Sequence, residues 1–99
     1  MKTIADFKRK MIVGSIWQVT HEYIGDNPSL PKDLGTRECG HVQSNSFAFK
    51  TMRDGKEVLS WGDWPKKTEF KPIDDNNAIV EKEGFVRLTY KLIQQQAGI

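Results

Sequence analysis

The chain has 99 residues, of which 37% are hydrophobic and 28% are charged, and its net charge is +2. A length close to the typical domain size of about 100–150 residues excludes a second core, and this hydrophobic content excludes an intrinsically disordered chain. The single cysteine, Cys39, excludes an intramolecular disulfide, and no stretch approaches the roughly 18 apolar residues of a transmembrane helix. We therefore expect one cytoplasmic domain with no membrane partner.

The N-terminal residues predict a short helix followed by a strand. Thr3 is a suitable N-cap with an acidic residue in the first turn, so one or two helical turns are expected over residues 4–10. Apolar and polar residues then alternate over residues 15–24, which is typical of a strand with one buried face. We expect Trp17 and Val19 to point inward from this strand.

The middle of the chain predicts a long loop and a hairpin. Residues 25–35 are rich in turn-forming residues and are expected to form the loop. Strands are predicted over residues 37–43, 47–52 and 56–61. The last two are joined by Asp54-Gly55, the strongest hairpin signal in the chain, because a type I′ turn requires positive φ at both central positions.

The C-terminal third predicts three further strands, over residues 68–71, 78–81 and 85–92. The last strand has the clearest pattern, since Val86, Leu88 and Tyr90 alternate with Arg87 and Thr89. Period two places the first three side chains on one face, which we expect to lie inside the fold.

Six or seven short strands joined by hairpins, with almost no helix, predict a mainly β fold, either a small single-domain barrel or a strongly curved sheet. A closed barrel is favoured because it removes the exposed strand edges that promote aggregation. Among small closed folds we expect an SH3-like barrel with a short N-terminal helical turn, because residues 25–36 would supply the long loop that typically follows its first strand. The domain is expected to span residues 1–99, with its core over about residues 11–93 and a frayed tail at residues 94–99.

Two segments of the chain resemble stretches of small accessory proteins of tailed bacteriophages. They are Gly14-Ser15-Ile16-Trp17-Gln18-Val19 and Ser60-Trp61-Gly62-Asp63-Trp64-Pro65-Lys66. The resemblance covers a small part of the chain and includes no recognised catalytic motif. It implies a phage-encoded factor that acts in the host cytoplasm, and it identifies no site residue.

Metal binding is the first chemistry that the sequence offers. Cys39 and His41 would lie on one face of a strand, about 7 Å apart, which suits two ligands of one zinc ion. A structural zinc needs four ligands, however, and the paired CxxC or HxxxH spacing is absent. We therefore expect no metal and no cofactor, and interpret the pair as a buried thiol beside a half-exposed imidazole.

Enzymatic activity is not expected. Cys39 with His21 or His41 as its base would be the only nucleophile pair, and two residues apart on a strand is a poor geometry for a Cys–His hydrogen bond. GxSxG, HExxH, P-loop and GxGxxG motifs do not occur. Asp74 and Asp75 lie among asparagines, a composition that favours a turn over an acid/base pair.

Nucleic-acid binding has better support, because basic clusters lie near aromatic residues in the sequence. The basic clusters are Lys8-Arg9-Lys10, Arg53 with Lys56, and Lys66-Lys67 with Lys71, and the aromatic residues are Phe47, Phe49, Trp61 and Trp64. Single-strand binders stack bases on aromatic rings and neutralise phosphates with Lys and Arg. Against this function, so small a domain needs most of its aromatic residues for its core, and a net charge of +2 is low for a phosphate-binding protein.

Protein binding is the function that we favour. Trp64 lies in a predicted turn and could serve there as an exposed anchor, since Trp is enriched among interface hot spots. Lys66 and Lys67 would steer the approach of an acidic surface, and Arg53 and Lys56 complete the candidate site. The opposite interpretation, in which Trp64 folds back to cap the barrel, stays open. The sequence thus predicts a non-enzymatic module that binds a host or other cytoplasmic protein. Nucleic acid is the alternative partner, and the oligomeric state is undetermined.

Overall fold

The fold consists of one short helix and seven strands in a computed structural model that describes residues 1–95. In chain order they are α1 (Ile4–Lys10), β1 (Ile16–Tyr23), β2 (Lys32–Val42), β3 (Ser46–Arg53), β4 (Lys56–Asp63), β5 (Phe70–Pro72), β6 (Asn77–Lys82) and β7 (Val86–Gln94). Of the tail predicted to fray at residues 94–99, Gln94 ends β7, and residues 96–99 lie outside the described residues. No helix in the described part of the chain is long and apolar enough to cross a membrane.

All seven strands form one antiparallel sheet in the order β4-β3-β2-β1-β7-β6-β5. The mainly β fold is confirmed, but the sheet is open, with β4 and β5 as its edges, rather than a closed barrel. One reason lies in β5, which has only three residues and ends at Pro72, a residue without a backbone N–H to pair. The other reason is α1, since Phe7 packs against both Trp64, just after β4, and Phe70 in β5. The helix therefore lies between the two edges that a barrel would join.

The open sheet is strongly curved. Phe47 in β3 and Tyr90 in β7 are separated by two intervening strands, which in a flat sheet places their backbones about 14 Å apart. Their ring centroids are only 6.2 Å apart, and the ring of Phe49 stacks on that of Tyr90 at 6.3 Å. The sheet therefore wraps around its inner face and encloses a core that a flat sheet of this size would leave exposed.

Phe7 lies at the centre of this curvature. Thr3 caps α1 by accepting a hydrogen bond from the backbone N–H of Asp6, as predicted. Phe7 is fully buried. Its ring centroid lies 5.4–6.1 Å from those of Trp17, Phe47, Trp64, Phe70 and Tyr90. One side chain thus connects four strands and the segment that follows β4.

The inward-facing residues predicted for the first and last strands all contribute to the core. They are Trp17 and Val19 in β1 and Val86, Leu88 and Tyr90 in β7. The core also extends towards the N-terminus beyond the expected limit near residue 11, because Met1 and Phe7 are both buried in it. Helix α1 is therefore part of the hydrophobic core and not an appendage to it.

The largest departure from the predicted elements is β2. Residues 32–35 were expected in the loop but belong to this strand, because β2 pairs with β1 from Lys32 onward. The pairing satisfies backbone groups that a loop would leave to water, so it overrides the local preference for turns. The strand then changes partner, pairing with β1 as far as Glu38 and with β3 from Cys39.

The β3–β4 hairpin confirms the turn predicted from Asp54-Gly55. The φ angle is 53° at Asp54 and 77° at Gly55, so both central residues occupy the left-handed region that a type I′ turn requires. The strands then pair without a register shift from Arg53 and Lys56 to Ser46 and Asp63.

Gly55→Ala should destabilise the domain by about 1 kcal/mol, because a side chain at positive φ is strained even though no atom lies within 4 Å of the added Cβ. Gly62→Ala is the matched control in the same hairpin, since Gly62 has no positive φ and its added Cβ would meet the Phe47 ring at 3.5 Å, an ordinary contact. Chemical denaturation of both variants measures the difference. A Gly55→Ala midpoint equal to that of the wild type would contradict the type I′ turn.

Phe7→Ala should lower the free energy of unfolding by about 3–5 kcal/mol, because it removes a fully buried ring and leaves a cavity bordered by five aromatic side chains. The control is Phe85→Ala, since the Phe85 side chain is 60% exposed and its loss should cost less than about 1 kcal/mol. Urea unfolding of both variants checks the prediction. Similar losses for the two would show that α1 is not part of the core.

Candidate functional site

The five residues predicted to form a binding site lie at opposite ends of β4. Arg53 and Lys56 flank the hairpin turn at one end, whereas Trp64, Lys66 and Lys67 follow the other end. An eight-residue strand is about 25 Å long, so the structure does not bring the two basic pairs into one site. Only the second pair accompanies the predicted tryptophan.

Trp64 packs against the aromatic core, with part of its surface accessible. Its ring centroid lies 4.7 Å from that of Phe47, and its Nε1–H donates to the backbone carbonyl of Gln43 at 2.9 Å. The ammonium of Lys8 lies 5.5 Å from the centre of the Trp64 ring, within the range of a cation–π interaction. Trp64 therefore covers one end of the curved sheet, which is the second of the two interpretations that the sequence allows.

Four lysines lie before α1, on α1 and on the segment after β4. They are Lys2, Lys8, Lys66 and Lys67, which we call the lysine face. None of them forms an ion pair with a described carboxylate. Two carboxylates lie close to these lysines without pairing with their ammonium groups, since Glu69 accepts a hydrogen bond from the backbone N–H of Lys66 and Asp6 accepts one from that of Lys2. The four ammonium groups thus have no carboxylate partner among the described residues.

Asp6 stays ionised within α1 and does not reach the lysine ammonium groups. The backbone N–H of Lys2 donates to its carboxylate at 3.0 Å, and this hydrogen bond is the main cause that lowers the pKa of Asp6. The positive charge of Arg9 lowers the pKa further. The carboxylate is therefore committed to the start of the helix, where a negative charge is stabilising.

A groove of about 440 Å³ separates the start of α1 from β5. It is lined by Lys2, Thr3, Ile4, Ala5, Lys67, Phe70 and Pro72. Most of this lining is apolar, with Ile4 on one side and Phe70 on the other, while Lys2 and Lys67 supply its only charges. A groove of this size and composition suits an apolar group carried by a negatively charged partner.

The aromatic residues expected to stack nucleic-acid bases do not form a stacking surface. Phe47 and Phe49 are buried, which removes two of the four from stacking on a nucleic-acid base at the surface. Trp61 is 49% exposed but lies on the outer face of the sheet, where its ring packs edge-on against His41 at 5.4 Å. Only part of Trp64 remains available near the lysine face.

Cys39 and His41 do not share a face of β2, contrary to the geometry expected from strand alternation. A β-bulge between them shifts the register against β3. Cys39 consequently points into the core and is fully buried, whereas His41 is exposed beside Trp61. Burial raises the pKa of the Cys39 thiol, which disfavours the reactive thiolate.

The other residues considered for catalysis have structural roles. Asp74 accepts hydrogen bonds from the backbone N–H of Asn76 and from the side-chain amide of Asn77, and the latter contact is the main cause that lowers its pKa. The turn interpretation of Asp74 and Asp75 is therefore confirmed. No group of three or more His, Cys, Asp or Glu side chains among the described residues is arranged to hold a metal ion.

The predicted protein-binding site did not include Lys2, Lys8 or the groove wall formed by α1, although Lys8 belongs to a basic cluster considered for nucleic-acid binding. A usable signal was present, since Ile4, Phe7 and Met11 have the i, i+3, i+7 spacing of one buried helix face. That face orients the helix and so indicates which of its lysines border the sheet. The contribution of β5 to the groove could not be predicted from the local sequence, because it depends on which strand lies beside the helix.

The fold and this surface define a small antiparallel β domain with a lysine-bordered groove. No protein-family model matches the chain, and neither a curated protein nor a solved structure matches it. The function is therefore inferred from the geometry of the chain's own residues.

Cys39→Ser should lower the free energy of unfolding by about 1–3 kcal/mol, because a hydroxyl replaces a thiol in a fully buried position. Binding by the folded variant should be unchanged, since Cys39 lies in neither the lysine face nor the groove. Denaturant unfolding measures the first effect, and metal analysis of the purified wild type gives a second test. Stoichiometric zinc that disappears in Cys39→Ser would overturn this structural role.

Proposed function

We propose that this chain is a non-enzymatic protein-binding module that docks an acidic protein on its lysine face. The observation that carries the proposal is a mainly apolar groove bordered by Lys2 and Lys67, with Lys8 over the Trp64 ring and Lys66 next to Lys67 in the chain. None of these four lysines pairs with a described carboxylate. Complementary charge accelerates association and aligns the partner, while apolar burial in the groove slows its release.

A protein suits this surface better than a nucleic acid does. The apolar walls at Ile4 and Phe70 would bury an aliphatic or aromatic side chain, which a sugar-phosphate backbone does not offer. Nucleic-acid binding, the alternative function, would use the same lysines for phosphate contacts. It would lack the base-stacking platform, because Phe47 and Phe49 are buried.

We extend the proposal to the kind of partner, the cellular location and the fold classification of the module. The resemblance to phage accessory proteins makes the partner a host protein whose activity the module modulates. A cytoplasmic location is supported by the single, buried Cys39, which needs no oxidising compartment. An SH3-like classification is supported by the strongly curved antiparallel sheet with an extended connection between β1 and β2.

The test compares the two basic pairs that lie at opposite ends of β4. The tagged chain captures its partner from its natural cytoplasm, with and without nuclease, and association with the purified partner is then followed at several salt concentrations. Lys66→Ala combined with Lys67→Ala should slow association by about tenfold at low salt and reduce its salt dependence. Arg53→Ala combined with Lys56→Ala removes the same charge at the far end and should leave the rate nearly unchanged.

Partner loss under nuclease treatment would assign the lysine face to nucleic acid instead. Equal effects of the two double variants would show that net charge alone drives binding and would refute a localised site. Trp64→Ala is not used as the primary test, because the ring packs against Phe47 and its removal also weakens the core.

A further inference from the structure

A second cavity opens on the inner face of the curved sheet, separate from the α1–β5 groove. Its volume is about 150 Å³, and none of its lining residues borders that groove. Its walls are largely apolar and include Leu34, Phe47, Phe49 and Leu88. A cavity of this volume accommodates a group the size of a benzene ring, as an engineered cavity in a protein core does.

Among the described residues that line this cavity, Arg37 is the only charged one. It lies opposite Trp17 in the β1–β2 pairing, is partly buried, and makes no hydrogen bond or ion pair with any described side chain. The neighbouring carboxylate of Glu38 is bound to Lys50 at 2.9 Å. Arg37 therefore offers an unpaired positive charge at the cavity wall, where a carboxylate from outside the domain would form a charge-assisted hydrogen bond.

Tyr90 supplies a second polar group to the same cavity. It is only 6% exposed, and its hydroxyl has no hydrogen-bond partner among the described residues. Every completely buried side-chain nitrogen or oxygen among the described residues has a hydrogen-bond partner. Because the Tyr90 hydroxyl has no such partner, it is not completely buried, which agrees with its position on the cavity wall. Burial raises the pKa of Tyr90, and the hydroxyl therefore remains protonated as a donor at neutral pH.

We propose that this cavity binds a carboxylate carried on a small apolar group, with Arg37 pairing with the carboxylate and Tyr90 donating a hydrogen bond to it. The planar guanidinium matches two carboxylate oxygens, and the aromatic walls receive the apolar part. No carboxylate in the described part of the chain lines the cavity, so none of its known lining residues repels an anion. The site is separate from the lysine face, so the test of this site is independent of the test of the proposed protein binding.

Benzoate is the probe, and benzamide is its neutral counterpart of nearly the same size and shape. Titrations of the isotope-labelled protein, followed by NMR chemical shifts, should show benzoate binding at least about tenfold more tightly than benzamide, because a charge-assisted pair is lost with the amide. The shifted signals should include those of Tyr90 and Phe49, which line the cavity.

Three variants separate the roles of the two polar groups. Arg37→Gln should reduce benzoate affinity to the level of benzamide, whereas Arg53→Gln, the control at the exposed hairpin, should leave it unchanged. Tyr90→Phe should weaken benzoate several-fold while the free energy of unfolding stays close to that of the wild type, because the ring is kept and the hydroxyl makes no internal bond.

Equal affinity for benzoate and benzamide, or benzoate binding that survives Arg37→Gln in a folded protein, would refute the site. If Arg37→Gln does not fold, the benzamide comparison and Tyr90→Phe decide. Equal affinities for benzoate and benzamide, or an unchanged benzoate affinity in folded Tyr90→Phe, would then overturn the proposal.

A carboxylate of this kind can come from a free small acid or from the C-terminus of another protein. The second arm titrates the tripeptide Gly-Gly-Phe with a free carboxylate and with an amidated C-terminus. Preference for the free carboxylate, abolished by Arg37→Gln, supports the site and assigns it to a protein terminus. Binding of benzoate with exclusion of both peptides supports the site and assigns it to a small acid.

Discussion

The burial of Phe7 against the inner face of the sheet is the interaction on which the rest of this structure depends. Its ring contacts aromatic side chains from β1, β3, β5 and β7, strands that a flat sheet would hold far apart. Curving the sheet around one ring lets a short chain bury many aromatic side chains, which a domain of this size needs because so much of its surface stays exposed. The same ring occupies the gap between β4 and β5, so the curvature ends in an open sheet.

The packing of Phe7 also determines which side chains the surface presents for binding. Since α1 is held across the sheet by Phe7, it places Lys8 over the Trp64 ring and brings Lys2, just before the helix, to the groove that Lys67 also lines. The groove lies between the start of the chain and β5, because its lining comes from both. The lysine face is thus a product of the contact between the N-terminal helix and the sheet edges, and neither element forms it alone.

Local irregularity in β2 has comparable consequences. The strand changes partner from β1 to β3 near Cys39, and its bulge turns Cys39 into the core and His41 outward. Before the bulge, Arg37 is directed to the inner face opposite Trp17, where it meets the cavity that Tyr90 lines. A regular strand would have kept Cys39 and His41 together, so the bulge removes a candidate metal pair.

Local patterns in the sequence determined the helix cap at Thr3, the left-handed turn at Asp54-Gly55, and the inward faces of β1 and β7, because each follows from steric preferences or from a period of two within a few residues. The two lysines after β4 were also evident as a basic pair. Tertiary structure alone decided that residues 32–35 form a strand, that the sheet stays open, that Trp64 packs inward, and that Arg53 lies far from Lys67. These outcomes depend on contacts between residues distant in the chain, and the free energy of such contacts, above all around Phe7, outweighs the local preferences from which a sequence is interpreted.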